Sequence, residues 1–393
     1  MTTTDHSRAV LAGEHSHGDV EVPQASRAAR TRSFDVADFP LPTGREEEWR
    51  FSALKDLAPA LQDAPTEENS ADFEVDFAGT PELPNLAPGQ APRGTALVPG
   101  DRGAVVASAN TEHALHVKIP ADTALDAPVR INVTGEAGKR SNAHYVIEAE
   151  EGSEAIVVVE HNGSGIHAGN VEVIVGRNAN LTVVSLQLWD DDAVHVGQHE
   201  AVVGEAGHYR HIAVTLGGKA VRLSVNASYD GPRAEATLLG LYFVDEGQHL
   251  EHQTYANHNQ PNCVSRVTYK GALQGDGARS VWIGDVLIGA VAEGTDTYEL
   301  NRNLVLTEGA RADSVPNLEI ETGEIEGAGH ASATGRFDDE QLFYLKARGI
   351  PEEEARRLVV RGFFAELIHQ IGIPALQERL TALIEEELEL TGQ

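Results

Sequence analysis

A short pattern recurs through the middle of the chain and limits what it can fold into. A Gly, Asn or Arg followed by a small or polar residue leads into a β-forming run six times. The six are Gly152–Ser153–Glu154–Ala155, Asn178–Ala179–Asn180–Leu181, Gly207–His208–Tyr209–Arg210, Arg233–Ala234–Glu235–Ala236, Gly277–Ala278–Arg279–Ser280 and Gly309–Ala310–Arg311–Ala312. Most intervals between them are about 25–32 residues, the span of one turn of a solenoid. The interval from Arg233 to Gly277 is longer and predicts an inserted loop. Between the turns lie Ala155–Val159, Val171–Val175, Leu181–Leu186, His211–Leu216, Val221–Val225, Ala236–Phe243, Val281–Ile288 and Leu304–Leu306, which have the length and composition of strands. No long helical pattern separates them, which argues against βαβ units. The reading is an all-β core, a β-helix solenoid. Aromatic residues make up only 5% of the chain, and small residues at the turns suit a narrow stacked interior. A β-sandwich, with strands roughly every 8–12 residues, is the alternative.

Around this core the texture changes three times. Residues 1–38 are polar and non-periodic, which predicts a mobile arm. Residues 39–95 open with a helical segment, from Arg45 to Phe51 and on through Leu54 and Leu57. They continue into a linker that holds Pro65, Pro81, Pro84, Pro88 and Pro92, where little helix is expected. The β-helix core is assigned to 96–335, and 336–393 to a helical domain. In that last stretch acids at 338–340 start one helix and Gly349 follows it; Pro351 opens a second, Gly372 and Pro374 break it, and a third begins near Leu376.

Charge removes several functions. Thirty Lys and Arg against 61 Asp and Glu give a net charge of −31, which repels nucleic-acid phosphates and anionic membrane surfaces. No run of 18 apolar residues predicts a membrane span, and the N-terminus shows no signal-peptide core. A single cysteine allows no internal disulfide and no self-contained cysteine-ligated cluster. A cytoplasmic location is the expectation.

The sequence lacks a phosphate-binding G-x-x-x-x-G-K-[ST] loop, an H-E-x-x-H helix and a G-x-S-x-G elbow. Ligand-type residues gather in 249–263, with His249, His252, His258 and Cys263. Imidazole and thiolate suit iron, zinc or copper. On a strand, however, residues three apart face opposite sides, so His249 and His252 chelate together only from a loop. The alternative is that they line a coil edge. His330 sits among Gly and Ala, sterically open. It is either an accessible ligand or a histidine bonded to a carbonyl. Asp190–Asp191–Asp192 reads as a solvated loop.

The C-terminal half resembles a known family. Val315–Pro316–Asn317–Leu318–Glu319–Ile320, Gly329–His330–Ala331, the block from Asp338 to Ile350 and Gly362–Phe363–Phe364–Ala365–Glu366 are similar to the signature of the SufB/SufD family, scaffold subunits of the SUF iron–sulfur cluster assembly system. Pro261–Asn262–Cys263–Val264–Ser265, Tyr269–Lys270–Gly271–Ala272–Leu273, Asn301–Arg302–Asn303–Leu304 and Glu48–Trp49–Arg50 also fit. The SufD branch fits better than SufB, because no cysteine follows Cys263 and His330 occupies the position of that branch's functional histidine. Some SufD proteins carry Cys two residues before it, where this chain has Ala328.

The resemblance implies a right-handed parallel β-helix flanked by N- and C-terminal helical regions. It implies a non-enzymatic scaffold that pairs with SufB through the β-helices. It also implies that the C-terminal helices dock the SufC ATPase, with Phe343, Tyr344, Arg348, Phe363 and Phe364 as contact residues. An iron–sulfur cluster would form transiently at the SufB interface with His330 as a ligand, and the lone chain would hold no stable cofactor. Flavin in the complex and a homodimer of the isolated chain are further possibilities. A β-helix carbohydrate-active enzyme and a plain interaction solenoid are the rival readings. Co-purification with an ATPase separates the first reading from both.

Overall fold

The computed structural model describes residues 30–77, 82–337 and 339–390. Most of the expected arm, residues 1–29, lies outside the described residues.

Among the described residues, eighteen strands divide between two sheets. The first sheet runs β1 (Ala71–Asp76), β4 (Val129–Gly135), β6 (Glu154–Gly163), β8 (Asn180–Trp189), β10 (His208–Thr215), β12 (Glu235–Val244), β14 (Val264–Leu273), β16 (Thr295–Val305) and β18 (Ile325–Arg336). The second runs β2 (Asn85–Leu86), β3 (Ala114–Ile119), β5 (Arg140–Ala149), β7 (Ile166–Val175), β9 (Val194–Gly204), β11 (Ala220–Asp230), β13 (His249–His258), β15 (Arg279–Ile288) and β17 (Arg311–Ile320). From β3 onward each strand pairs in parallel with the strand two places on. The chain is a parallel β-solenoid with one strand of each coil in each sheet, and the antiparallel sandwich is excluded.

One turn geometry holds the coils in step. Asp122, Gly152, Asn178, Ala206, Arg233, Asn262 and Gly294 all have left-handed backbone, with φ from +52° to +70°. All but Asp122, which lies seven residues before β4, sit one or two residues before a strand of the first sheet. The N–H of each donates to the carbonyl preceding its counterpart in the next coil: Gly152 to Arg177 at 2.9 Å, Asn178 to Glu205 at 3.0 Å, Asn262 to Glu293 at 2.7 Å. Gly, Asn and Asp enter this conformation readily, whereas Ala206 and Arg233 do so at a cost on the order of 1–3 kcal/mol. The ladder corrects the expected inserted loop. Asn262, 29 residues after Arg233, is the missing turn, and Gly277 belongs to the opposite edge, where the chain enters the second sheet. The sequence pattern had changed edges.

Inward residues of both sheets form one long core from Val117 to Trp282, largely Val, Leu, Ala and Tyr. Both outer faces are also covered. Val158, Val184, Leu186, Ile212, Leu241 and Phe243, on the outside of the first sheet, pack against Phe364, Leu367, Leu380 and Ile384. These come from helices α4 (Glu352–Ile371) and α5 (Pro374–Leu390), which follow α3 (Asp339–Ala347). Gly372 at φ +68° ends α4 where the sequence predicts. The helices are therefore a third layer on the sheet and not a separate module.

The N-terminal region covers the second sheet. It is more broken than the sequence implies: a 3₁₀ turn at Glu47–Trp49 and one turn of helix, α1 (Leu54–Leu57), replace a continuous helix. The expected linker contributes β1 and β2, because its prolines flank those strands in the sequence without interrupting them. Helix α2 (Arg102–Ala109), capped by Asp101 accepting from the Ala104 N–H, was not expected inside the core region. Trp49, Leu57, Leu61 and Ala107 pack on Ala168, Val194 and Val196. Buried Arg222 on β11 pairs with Asp101 and with Glu251, the latter at 3.1 Å, and lies 3.8 Å from the Trp49 ring. Even the described end of the arm is tied down: Arg32 reaches buried Glu200 at 2.5 Å, and the Ser33 N–H donates to the Pro99 carbonyl. No helix among the described residues is long and apolar enough to cross a membrane.

The core also holds imidazoles. His252 bonds Thr215 Oγ1 at 2.9 Å and stacks on Tyr242; His258 bonds Ser265 Oγ at 2.8 Å; His199 and His211 share a 2.8 Å bond. Burial pushes His252 and His258 down to about 4 and His211 to about 3. An unfolded imidazole titrates near 6.5 (roughly). The unfolded chain therefore binds more protons below that value, and stability falls as pH drops from about 6.5 toward 4. At pH 5 each of these groups should cost roughly 1–2 kcal/mol. The urea midpoint should fall clearly between pH 7 and 5, and His252→Phe should reduce the slope. A midpoint flat across that range would contradict the buried neutral assignment.

Candidate functional site

The two ends of the solenoid differ. At the N-terminal end, antiparallel β1 and β2 close the sheets over β4 and β3. At the other end β17 and β18 are the last strands of their sheets, and among the described residues no strand pairs with their outer edges. Such edges present rows of free backbone donors and acceptors. Exposure rises here, with Tyr298 and Ile320 both more than 40% accessible.

Alternation along β18 sends Ala328, His330, Ser332 and Thr334 to the inward side, stacked on Thr297, Glu299, Asn301 and Asn303 of β16. Because no coil follows, His330 is inward in register yet exposed. Gly329 lets the Tyr298 ring pass close: a Cβ there would meet it at 3.1 Å. Beneath lies a bonded polar layer. Asn301 donates to Tyr242 Oη at 3.0 Å, and Asn303 donates to Asn301 Oδ1 at 2.8 Å and to Ser314 Oγ at 3.1 Å. Gly284 makes room for buried Trp282 and Glu299, each of which a Cβ would strike. The Trp282 indole N–H has no protein partner.

This end therefore offers one accessible imidazole above a buried carboxylate, and no thiolate. Ala328 shares the face of His330 and contributes a methyl group where some SufD proteins carry the thiol. The chain's cysteine cannot substitute. Cys263 is buried, with Sγ 3.5 Å from the Gly231 carbonyl, and burial pushes its thiol pKa up. One nitrogen ligand is too few to hold an iron–sulfur cluster.

The 249–263 group is not brought together. His249 points outward, 3.3 Å from Glu251, whereas His252 and His258 point inward. Six strand residues separate those two by about 20 Å. Among the helical candidates, Phe343 and Tyr344 on α3 are exposed at 74% and 55%, and Arg348 lies 4.6 Å from the Tyr344 ring. Phe364 is fully buried against the sheet. Half-buried Phe363 is held by Lys270, whose Nζ donates to its carbonyl at 3.1 Å. The expected apolar strip thus narrows to α3, because Phe363 and Phe364 turn toward the solenoid.

Sequence reasoning missed a second cluster. His161, His167 and His195 meet in the lumen, with ligand atoms within 4.8 Å of one another. The available signal was periodic: His161 and His167 flank the Gly163–Ser164–Gly165 turn, and His195 follows His167 by 28 residues, one coil, in register.

Comparison with known proteins agrees with this architecture. The family model described as "SUF system FeS cluster assembly, SufBD core domain" matches residues 131–363. The chain is 51% identical to an iron–sulfur cluster assembly SufBD family protein of Mycobacterium tuberculosis, over 91% of this chain and 92% of that one. It is 30% identical to the iron–sulfur cluster assembly protein SufD of Escherichia coli over 44% of this chain and 40% of that one. Against SufD of Bacillus subtilis the figures are 38% identity over 30% and 27%. With a two-sheet solenoid, a bare end carrying His330 and a family match across most of the coils, the chain belongs to the SufBD family of iron–sulfur cluster assembly proteins.

Proposed function

We propose that this chain is the SufD-type, non-catalytic scaffold of a SUF assembly complex, and that β17 and β18 are the surface that pairs with SufB. The observation that carries this reading is the uncapped end. One end of the stack is closed by antiparallel strands, and the other leaves two sheet edges and a ligand-type side chain open. A second solenoid laid against those edges would satisfy the free backbone groups by strand addition. His330 would then supply one ligand to an iron–sulfur cluster in transit, and the partner would supply thiolates. ATP hydrolysis would belong to SufC, in keeping with the absence of a phosphate-binding loop here. Exposed Phe343 and Tyr344 on α3 form the proposed SufC contact. A polysaccharide-acting enzyme fits less well, since such enzymes use a solenoid face and both faces here are covered over the central coils.

Co-expression of the tagged chain with SufB and SufC of the same organism tests the reading. His330→Ala should retain both partners and leave the melting temperature within about 1 °C, because an exposed imidazole adds little packing. Cluster-dependent enzyme activity in cells should fall severalfold. Full cluster delivery with His330→Ala would remove the ligand role. The paired change Phe343→Ser and Tyr344→Ser should abolish co-elution of SufC and spare that of SufB. Retention of SufC by a folded double variant would move its docking site elsewhere.

A further inference from the structure

We propose that His161, His167 and His195 form a binding site for a divalent first-row transition-metal ion inside the solenoid, entered from the acidic cleft beside Trp189. The inference stands apart from the assembly role proposed above and from His330.

The three rings make a near-equilateral cluster. His161 closes β6, His167 opens β7 in the opposite sheet, and His195 opens β9, paired in register with His167. Ring centroids are 5.1, 4.8 and 4.9 Å apart, and all three side chains are at most 2% exposed. Tetrahedral metal–nitrogen bonds of about 2.05 Å place ligand atoms about 3.3 Å apart. The 4.8 Å limit on their present separation leaves an adjustment of at most about 1.5 Å, within reach of small side-chain rotations.

A hydrogen bond already fixes the His161 ring for ligation, and the bonding of the His167 ring is compatible with it. The Leu186 carbonyl can only accept, so His161 Nδ1, 3.3 Å away, carries the proton and Nε2 keeps its lone pair. His167 Nδ1 bonds Ser141 Oγ at 2.8 Å, while its Nε2 has no partner at all. An orphaned nitrogen in a buried site is costly to leave unsatisfied. The surroundings hold that space open. A Cβ on Gly169 would lie 2.5 Å from His167 Nε2, although the Gly169 backbone does not have the left-handed φ that favours glycine. Outer bonds from Nδ1 with Nε2 free are the usual support of a metal-bound histidine. Burial pushes all three imidazoles down, and neighbouring imidazoles add to this for His167 and His195.

His195 is the ring that must change. The Trp189 indole N–H can only donate, and it donates to His195 Nδ1 at 3.1 Å, so the His195 proton sits on Nε2. Ligation through Nε2 moves that proton to Nδ1 and ends the Trp189 bond; the net proton count is unchanged. Trp189 also borders a cleft of about 770 Å³ lined by Asp190, Asp191, Asp245, Glu246 and Glu387. Burial beside Asp245 and repulsion between the two carboxyls raise the Glu387 pKa, which marks how closely the acidic side chains of this cleft are crowded. Three nitrogens and no thiolate suit zinc, cobalt, nickel or iron(II) over calcium or magnesium.

The full chain, stripped with EDTA and titrated with Co(II) at neutral pH, should bind one ion. It should show the visible absorption of a four- or five-coordinate site and lose part of its tryptophan emission, and Zn(II) should displace the ion. His167→Gln should weaken Co(II) at least tenfold. Trp189→Phe should keep the ion and lose that share of the quenching. The natural chain and Trp189→Phe decide the matter even where His167→Gln does not fold. Failure of the natural chain to bind Co(II), unchanged binding by His167→Gln, or full quenching in Trp189→Phe would each overturn the proposal.

Discussion

A column of left-handed residues along one edge of the stack sets everything else in place. From Asp122 to Gly294, one residue per coil takes positive φ and passes its N–H to the next coil. Coils vary in length from 26 residues, Glu154 to Asn180, to 32, Val264 to Asp296, yet each returns to the same corner. A slip of one residue would turn every inward side chain outward. The corner therefore fixes register, and register fixes which side chains share the lumen. His167 and His195 become neighbours through this constraint, as do Glu299 and His330.

The same constraint directs where partners can act. A parallel stack has two faces and two ends. The N-terminal segment covers one face through Trp49, Leu57 and the Arg222 ion pairs. The C-terminal helices cover the other through Phe364 and Leu367. Strands β1 and β2 close one end, which leaves β17 and β18. The proposed scaffold role needs an open end, because a cluster shared between chains requires ligands that protrude from the last coil. The closed faces also explain why strands such as Leu181–Leu186 are apolar on both sides, as expected where a parallel sheet is buried twice.

Much of this was legible in the sequence, for physical reasons. Turns with Gly or Asn before small residues marked the coil period, and Gly349, Gly372 and Pro374 marked the helix ends. Other strands were hidden. His249–His258 and Thr295–Val305 carry His, Thr, Glu and Asn at buried positions, so their composition reads as polar. Arg222 was invisible as a core residue because its partners, Asp101 and Glu251, lie far away in sequence. The docking of Phe363 and Phe364 against the solenoid was equally hidden, since helix periodicity gives a face but not what covers it. The resemblance supplied His330; the residues themselves left its role open. The lumen triad needed the register, which no local window contains.

The central claim is that the open end is where this chain meets its partner. Hydrogen exchange measured on the chain alone and with SufB tests it directly. The account predicts that amides of Arg311–Ile320 and Ile325–Arg336 exchange fast in the free chain and slow by tenfold or more in the complex, while those of Ala71–Asp76 and of the helices do not change. Unchanged exchange in β17 and β18 within a stable complex, or protection confined to the covered faces, would contradict it.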